Sequence, residues 1–251
     1  MGQNVRMKWH LFFGSLFCGA LVLHGYEDDY SPCVPWEARN VLLLNRYTYD
    51  SLPDRDEAKV PLGEKERLSI SVRRDGAAPG AVGILSLDGT GQRWRLDDIV
   101  WPYLEAVFGA DLNADSRTDV ILQFANTGCG ISGSTTDLIV LLSTEHAYSA
   151  TFVGTWLFNG NEVMVDNGNT FILHCEFVGG DVGADGKTHN YWLHRRLRVE
   201  GSEIRMDTSY KPIWVMFTFA PNHADSAELS SKQKAEIMRN NPVQCKPLVG
   251  L

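Results

Sequence analysis

No stretch of twenty apolar residues occurs in this chain, and no acidic residue precedes Glu27. The first absence argues against an ordinary membrane-spanning helix, which usually needs about 20 apolar residues. The second leaves Arg6 and Lys8 ahead of the apolar run Trp9–Leu23. A basic start followed by a short apolar core is the pattern of a secretory signal peptide, expected here over residues 1–25. Cleavage after Ala20 or Gly25 is the reading taken, with an uncleaved N-terminal anchor as the competing one. Phe17 before Cys18 argues against a lipoprotein, because that position takes a small residue.

Basic charge is also scarce. Removing Arg6 and Lys8 takes the formal net charge from −8 to −10. Such a chain has no electrostatic footprint for nucleic acid and no polybasic segment for anionic lipid. C-x-x-C and H-x-x-x-H spacings are missing, which argues against zinc. After the leader, Cys33, Cys129, Cys175 and Cys245 remain. An even number in an exported chain suggests two disulfides. Of three connectivities, Cys33–Cys245 and Cys129–Cys175 are preferred.

What is present is mostly β pattern. Residues 26–66 are rich in charge and proline and read as an irregular lead-in, with Val41–Leu44 as one short strand or helical turn. From Arg67 onward Leu68, Ile70 and Val72 alternate with polar residues, the mark of a half-buried strand. Further strands are expected at 81–87, 92–96, 103–108, 119–125, 138–143, 150–158, 161–165, 170–178, 190–199, 203–207 and 213–219. Asn159-Gly160 and Asn167-Gly168 favour the positive φ angles of type I′ hairpins, with Glu200-Gly201 a weaker third. Ser230 and Gln233 form a capping box for one helix near 231–240, stopped by Asn240-Asn241-Pro242. The expected domain spans 67–251. Its class is mainly β, an antiparallel meander (sandwich, barrel or partial propeller-like) with one C-terminal helix.

Between two of these strands lies Asp111-Leu112-Asn113-Ala114-Asp115-Ser116-Arg117-Thr118-Asp119. Oxygen-bearing side chains stand at positions 1, 3, 5 and 9, which is calcium-ligand spacing. Calcium wants six to eight oxygens, and three carboxylates on one tight loop repel each other without a cation. Asp111, Asn113, Asp115 and Asp119 would ligate through side chains and Arg117 through its carbonyl. The pattern argues against an EF-hand: Leu122 stands where its bidentate Glu belongs, and the flanks are β-branched and apolar. With Phe108-Gly109 before it and Asp119-Val120-Ile121-Leu122 closing it, the loop resembles those of FG-GAP and VCBS repeats over about residues 107–125. The resemblance implies a strand-flanked calcium loop. Ser116 departs from the usual Gly at the sixth position, and the chain is too short for a seven-bladed propeller. Residues 109–118 echo 179–188, but Gly183 and His189 weaken any second metal loop.

Other chemistry is less specific. Thr127–Ser134 is a Gly-rich loop without the Gly-Lys-Ser/Thr of a P-loop. Ser132 lacks the full G-x-S-x-G frame of a nucleophile elbow. His174 and Glu176 share a strand face and could form an acid/base pair, though a satisfied half-buried histidine is the simpler reading. Trp94, Trp101, Trp156, Trp192 and Trp214 could stack on sugar rings or fill a core. The expectation is an exported, calcium-stabilised structural or recognition module meeting a protein or glycan ligand. A hydrolase of polysaccharide or peptide is the alternative.

Overall fold

The computed structural model describes residues 37–38, 42–46, 57–59, 69–75, 82–87, 90–96, 103–125, 135–217 and 229–251. The expected leader, Cys18, Cys33, Trp101 and the loop carrying Cys129 and Ser132 lie outside them. The chain forms β1 (Glu37–Ala38), β2 (Leu42–Arg46), β3 (Glu57–Lys59), β4 (Ser69–Asp75), β5 (Val82–Leu87) and β6 (Gln92–Leu96). Next come β7 (Tyr103–Ala110), β8 (Asp119–Ala125), β9 (Thr135–Ser143), β10 (Tyr148–Trp156) and β11 (Val163–Asp166). The rest is β12 (Asn169–Val182), β13 (Thr188–Glu200), β14 (Glu203–Met206), β15 (Ile213–Phe217), helix α1 (Ser231–Asn240) and β16 (Cys245–Pro247). The mainly β, antiparallel expectation holds, and the three sheets are open rather than closed into a barrel.

Sheet A runs β1-β11-β12-β13-β14, with β15 also on β13; sheet B runs β16-β10-β9-β8-β7-β2; sheet C runs β3-β4-β5-β6. Sheet B is the middle layer. Its Val120, Leu122, Phe124, Ile139, Leu141 and Phe152 pack with Leu85, Leu87, Trp94 and Leu96 of sheet C. Its Phe108, Ile121, Leu138, Val140, Leu142 and Val153 pack with Val163, Ile172, Leu197 and Ile204 of sheet A. Burial on both faces explains why β8 and β9 read as continuous apolar runs rather than as alternation.

The lead-in is not irregular throughout. Its short strands β1, β2 and β3 each join a different sheet, by pairing with β11, β7 and β4. Edge strands of two to five residues borrow most of their order from the neighbour they pair with, so their own pattern is faint.

Turn chemistry divides. Asn167 and Gly168 both take positive φ (50° and 79°) between the paired residues Asp166 and Asn169, as a type I′ hairpin requires. Asn159-Gly160 does not form such a hairpin. Strands β10 and β11 belong to different sheets, and residues 157–162 carry the chain across. Gly160 (φ 97°) is needed there because a Cβ would meet Phe108 Cε1 at 2.9 Å. The Glu162 carboxylate draws the crossing in by accepting the Asn159 N–H at 2.8 Å.

Helix α1 has the expected capping box: Ser230 Oγ accepts the Gln233 N–H and the Gln233 side chain accepts the Ser230 N–H. Ile237 is its buried residue, packed with Leu229, Val178, Tyr191, Leu193 and Trp214 on sheet A. Trp94, Trp192 and Trp214 are buried and Trp156 is half-buried, so these four fill core rather than standing out as a sugar platform. Among the described residues no helix is long and apolar enough to cross a membrane.

Candidate metal centre

The loop 111–119 joins β7 to β8 at one end of the middle sheet. Its side-chain oxygens turn onto its own backbone. Asp111 accepts the N–H groups of Asp115 and Ser116, each at 3.0 Å. Asn113 Oδ1 accepts the Asp115 N–H at 3.2 Å. Asp115 accepts the Arg117 N–H at 2.9 Å and its guanidinium at 2.6 Å. Ala114 and Ser116 sit at φ 61° and 66°. A left-handed φ disfavours side chains other than Gly, Asn and Asp, so the hydrogen bonds hold the backbone in a conformation it would not adopt alone.

The two ends of the carboxylate set differ. Burial raises the Asp115 carboxyl, but the Arg117 N–H, the Asn113 amide and the Arg117 guanidinium together outweigh it, holding the group below the ordinary range. Asp119 is completely buried. Its carboxylate accepts the Leu112 N–H at 2.7 Å, the Ser143 N–H at 2.6 Å and the Ser143 Oγ–H at 3.0 Å. Burial nevertheless pushes its pKa up, since these donors offset only part of the desolvation. Asp119 thus ties the loop base to the end of β9. Its position at the start of β8, within reach of Ser143 at the end of β9, is a signal that loop spacing alone does not reveal.

The loop also reaches sheet A. Asn113 Nδ2 donates to the carbonyl of Gly201, in the β13–β14 turn, at 3.1 Å. Nearby, Ser149 Oγ donates to the Ser202 carbonyl at 2.5 Å. The expected ligand residues therefore stand where three connections of two layers meet. Among the described residues no three His, Cys, Asp or Glu side chains converge closely enough to hold a metal ion. Calcium would also draw on Asn113 Oδ1 and the Arg117 carbonyl.

Asp119→Ala should cost about 3 kcal/mol, because it leaves two buried N–H donors without an acceptor. Asp119→Asn, which keeps an acceptor oxygen, should cost roughly half as much. Urea melts of both variants measure the difference; equal losses would mean that the carboxylate acts through its charge instead.

The remaining candidates resolve differently. His174 and Glu176 share a face of β12 but do not pair. Glu176 bonds the Arg195 guanidinium, which also donates to the carbonyl of Asn241 at the helix C-terminus at 2.6 Å. Sequence reading missed Arg195, because its partners are set by the β12–β13 register and by α1. The echo loop carries an Asp185–His189 contact, with His189 Nε2 2.9 and 3.0 Å from the two carboxylate oxygens. Arg196 stacks between Phe171 and Tyr210, 3.9 and 3.5 Å from the ring centroids. It also bonds Asp166 at 2.9 Å. No disulfide joins the described cysteines; Cys245, expected to pair with Cys33, is a free thiol that burial pushes up to about 11.

Comparison with protein-family models, curated proteins and solved structures finds no match to this chain. The FG-GAP-like resemblance rests on residues 107–125.

Proposed function

We propose that the chain is an exported, calcium-stabilised β module with a structural or recognition role at the cell envelope or in the extracellular space. The observation that supports it most is the position of loop 111–119, hydrogen-bonded at once to the end of β9 and to the β13–β14 turn. Calcium held by Asp111, Asn113, Asp115, the Arg117 carbonyl and Asp119 would supply positive charge to a loop of three carboxylates. It would relieve the desolvation that burial imposes on Asp119. Arg117 now neutralises Asp115, so its guanidinium gives up that carboxylate when the ion enters. The leader pattern of residues 1–25 supports export, and the acidic balance suits an ion-rich exterior. The ligand met by such a module is a protein or a glycan. Among the described residues Glu176, the carboxylate a hydrolase would use, is engaged by Arg195 rather than by a histidine.

Calcium at about a hundred times its dissociation constant should stabilise the chain by about 3 kcal/mol. That corresponds to a rise of roughly 5–10 °C in Tm for a chain of this size. The rise should vanish in Asp115→Ala. A thermal melt unchanged by millimolar calcium rules the reading out.

A further inference from the structure

The C-terminal segment after α1 runs along the edges of two sheets. Gly154 N–H donates to the Gln244 carbonyl at 3.0 Å, β16 pairs with residues 151–153, and Leu248 N–H donates to the Ala150 carbonyl at 2.8 Å. The chain then leaves sheet B for sheet C, where Gly250 bridges Trp94 and Leu251 N–H donates to the Arg93 carbonyl at 2.9 Å. Side chains anchor it on both sides of the middle sheet: Val243 and Cys245 in the core shared with sheet A, Leu248 in the core shared with sheet C. Val249 and Leu251 remain 80% and 67% exposed. The segment is thus a narrow strand filling a slot between the β10 and β6 edges, held by backbone bonds and three part-buried side chains.

We propose that this segment, residues 243–251, is exchanged between two copies of the chain, each copy's strand entering the slot of the other. Every contact made within one chain is available in the exchanged pair, so the two forms differ mainly in translational entropy and in the hinge. Such exchange is a low-cost route to a dimer. Residues 241–242 form the hinge: Asn241 ends the helix at φ −121°, ψ 72°, and Pro242 cannot continue it. The assembly closes at two copies. The bonds at 154/244 and 150/248 make those pairs, and 152/246 between them, the hydrogen-bonded ones. Pro247, opposite Thr151, then falls in a non-hydrogen-bonded pair, where its missing N–H would have pointed outward. The outer edge of β16 lacks that donor and does not invite a further strand.

The same register supplies the test. Val153 and Cys245 are a non-hydrogen-bonded pair within one core cluster, and such pairs bring Cα atoms to about 4.5 Å, within disulfide range. In Val153→Cys of the full chain, a bond to Cys245 joins one chain if the strand stays home and two chains if it is exchanged. The variant is held at low and at high micromolar concentration a few degrees below its Tm, cooled, oxidised and run on a non-reducing gel. Wild type and Val153→Cys/Cys245→Ser serve as controls for the other cysteines. The expected result is a covalent dimer, in the variant alone, whose share rises at least several-fold with concentration. Peptide mapping should show a 153–245 bridge. Intramolecular bridging only, at every concentration, overturns the proposal, as does a dimer that persists in the Cys245→Ser control.

Discussion

Arg195→Met should unfold this protein more readily than any surface substitution, lowering stability by about 3 kcal/mol and Tm by roughly 6–12 °C. The side chain is only 3% exposed. It sits on the face of sheet A between the core shared with sheet B and the patch that seats α1. One end bonds Glu176, the other the Asn241 carbonyl at the helix C-terminus. A cation there is favoured by the helix dipole as well as by the carboxylate. Removing it strands Glu176, whose carboxyl burial already pushes up. The loss should fall by half or more in the double variant Arg195→Met/Glu176→Met, since much of it is the unpaired charge. Arg198→Ala is the control: its pair with Glu200 is about half exposed at both partners, and such pairs contribute about 0–1 kcal/mol. Urea melts of the wild type and the three variants decide the matter; a loss under about 1 kcal/mol in Arg195→Met would show that the seam is not held by this cation.

Acid should dismantle the fold well above the carboxylate range. His174 and His194 are 3% and 2% exposed. Burial first, and for His174 the neighbouring Arg195 charge second, depress their values to about 3 and about 4. Both folded-state values lie below the unfolded value of 6.5. The stability linked to them is therefore complete above pH 6.5 and is lost as pH falls toward 4. Two protons taken up only on unfolding cost about 2.7 kcal/mol per pH unit in that window. Two units consume about 5 kcal/mol, the lower end of a typical domain's total. The depressed carboxylates of Asp115, where burial is outweighed by Arg117 and Asn113 together, and of Asp166, held by Tyr210 and Arg196, act only below pH 4. The two windows are separable. Asp119, Glu162 and Glu176, whose carboxyls burial pushes up, take up protons in the folded state and offset part of this loss in wild type and variant alike. Urea melts between pH 7 and 4.5 should therefore show a slope smaller in His174→Gln than in the wild type by about 1.4 kcal/mol per pH unit; equal slopes would mean that the His174 ring is protonated in the folded state.

How legible this was in the sequence depends on whether the responsible contacts are local. The capping box at Ser230 and Gln233 and the hairpin at Asn167-Gly168 were readable because both are made within four residues. Strands β8 and β9 were found from β-branched runs, but not their burial on both faces, because nothing in Val120–Phe124 or Leu138–Leu142 says which layers will cover them. The loop at Asp111–Asp119 could be read as a set of oxygens. Its tie to Ser143 and its reach to Gly201 could not, since those partners are 24 and 88 residues away. Arg195 lay hidden for the same reason, 19 residues from Glu176 and 46 from Asn241. Asn159-Gly160 misled because the dipeptide favours a turn without saying that the two flanking strands join different sheets.

The short strands near the beginning and the final segment have a kinetic consequence. β1, β2 and β3 each complete a different layer, and the last residues border two of them. Sheets A and B cannot reach their final edges, nor can β6 of sheet C gain its C-terminal neighbour, until stretches far apart in the chain have met. Pairings of such long range are slow to form, because loop closure costs entropy before contacts return it. Refolding should therefore be a late, concerted locking of all three layers, on a timescale of seconds rather than microseconds, with no single layer persisting as a stable half-built form.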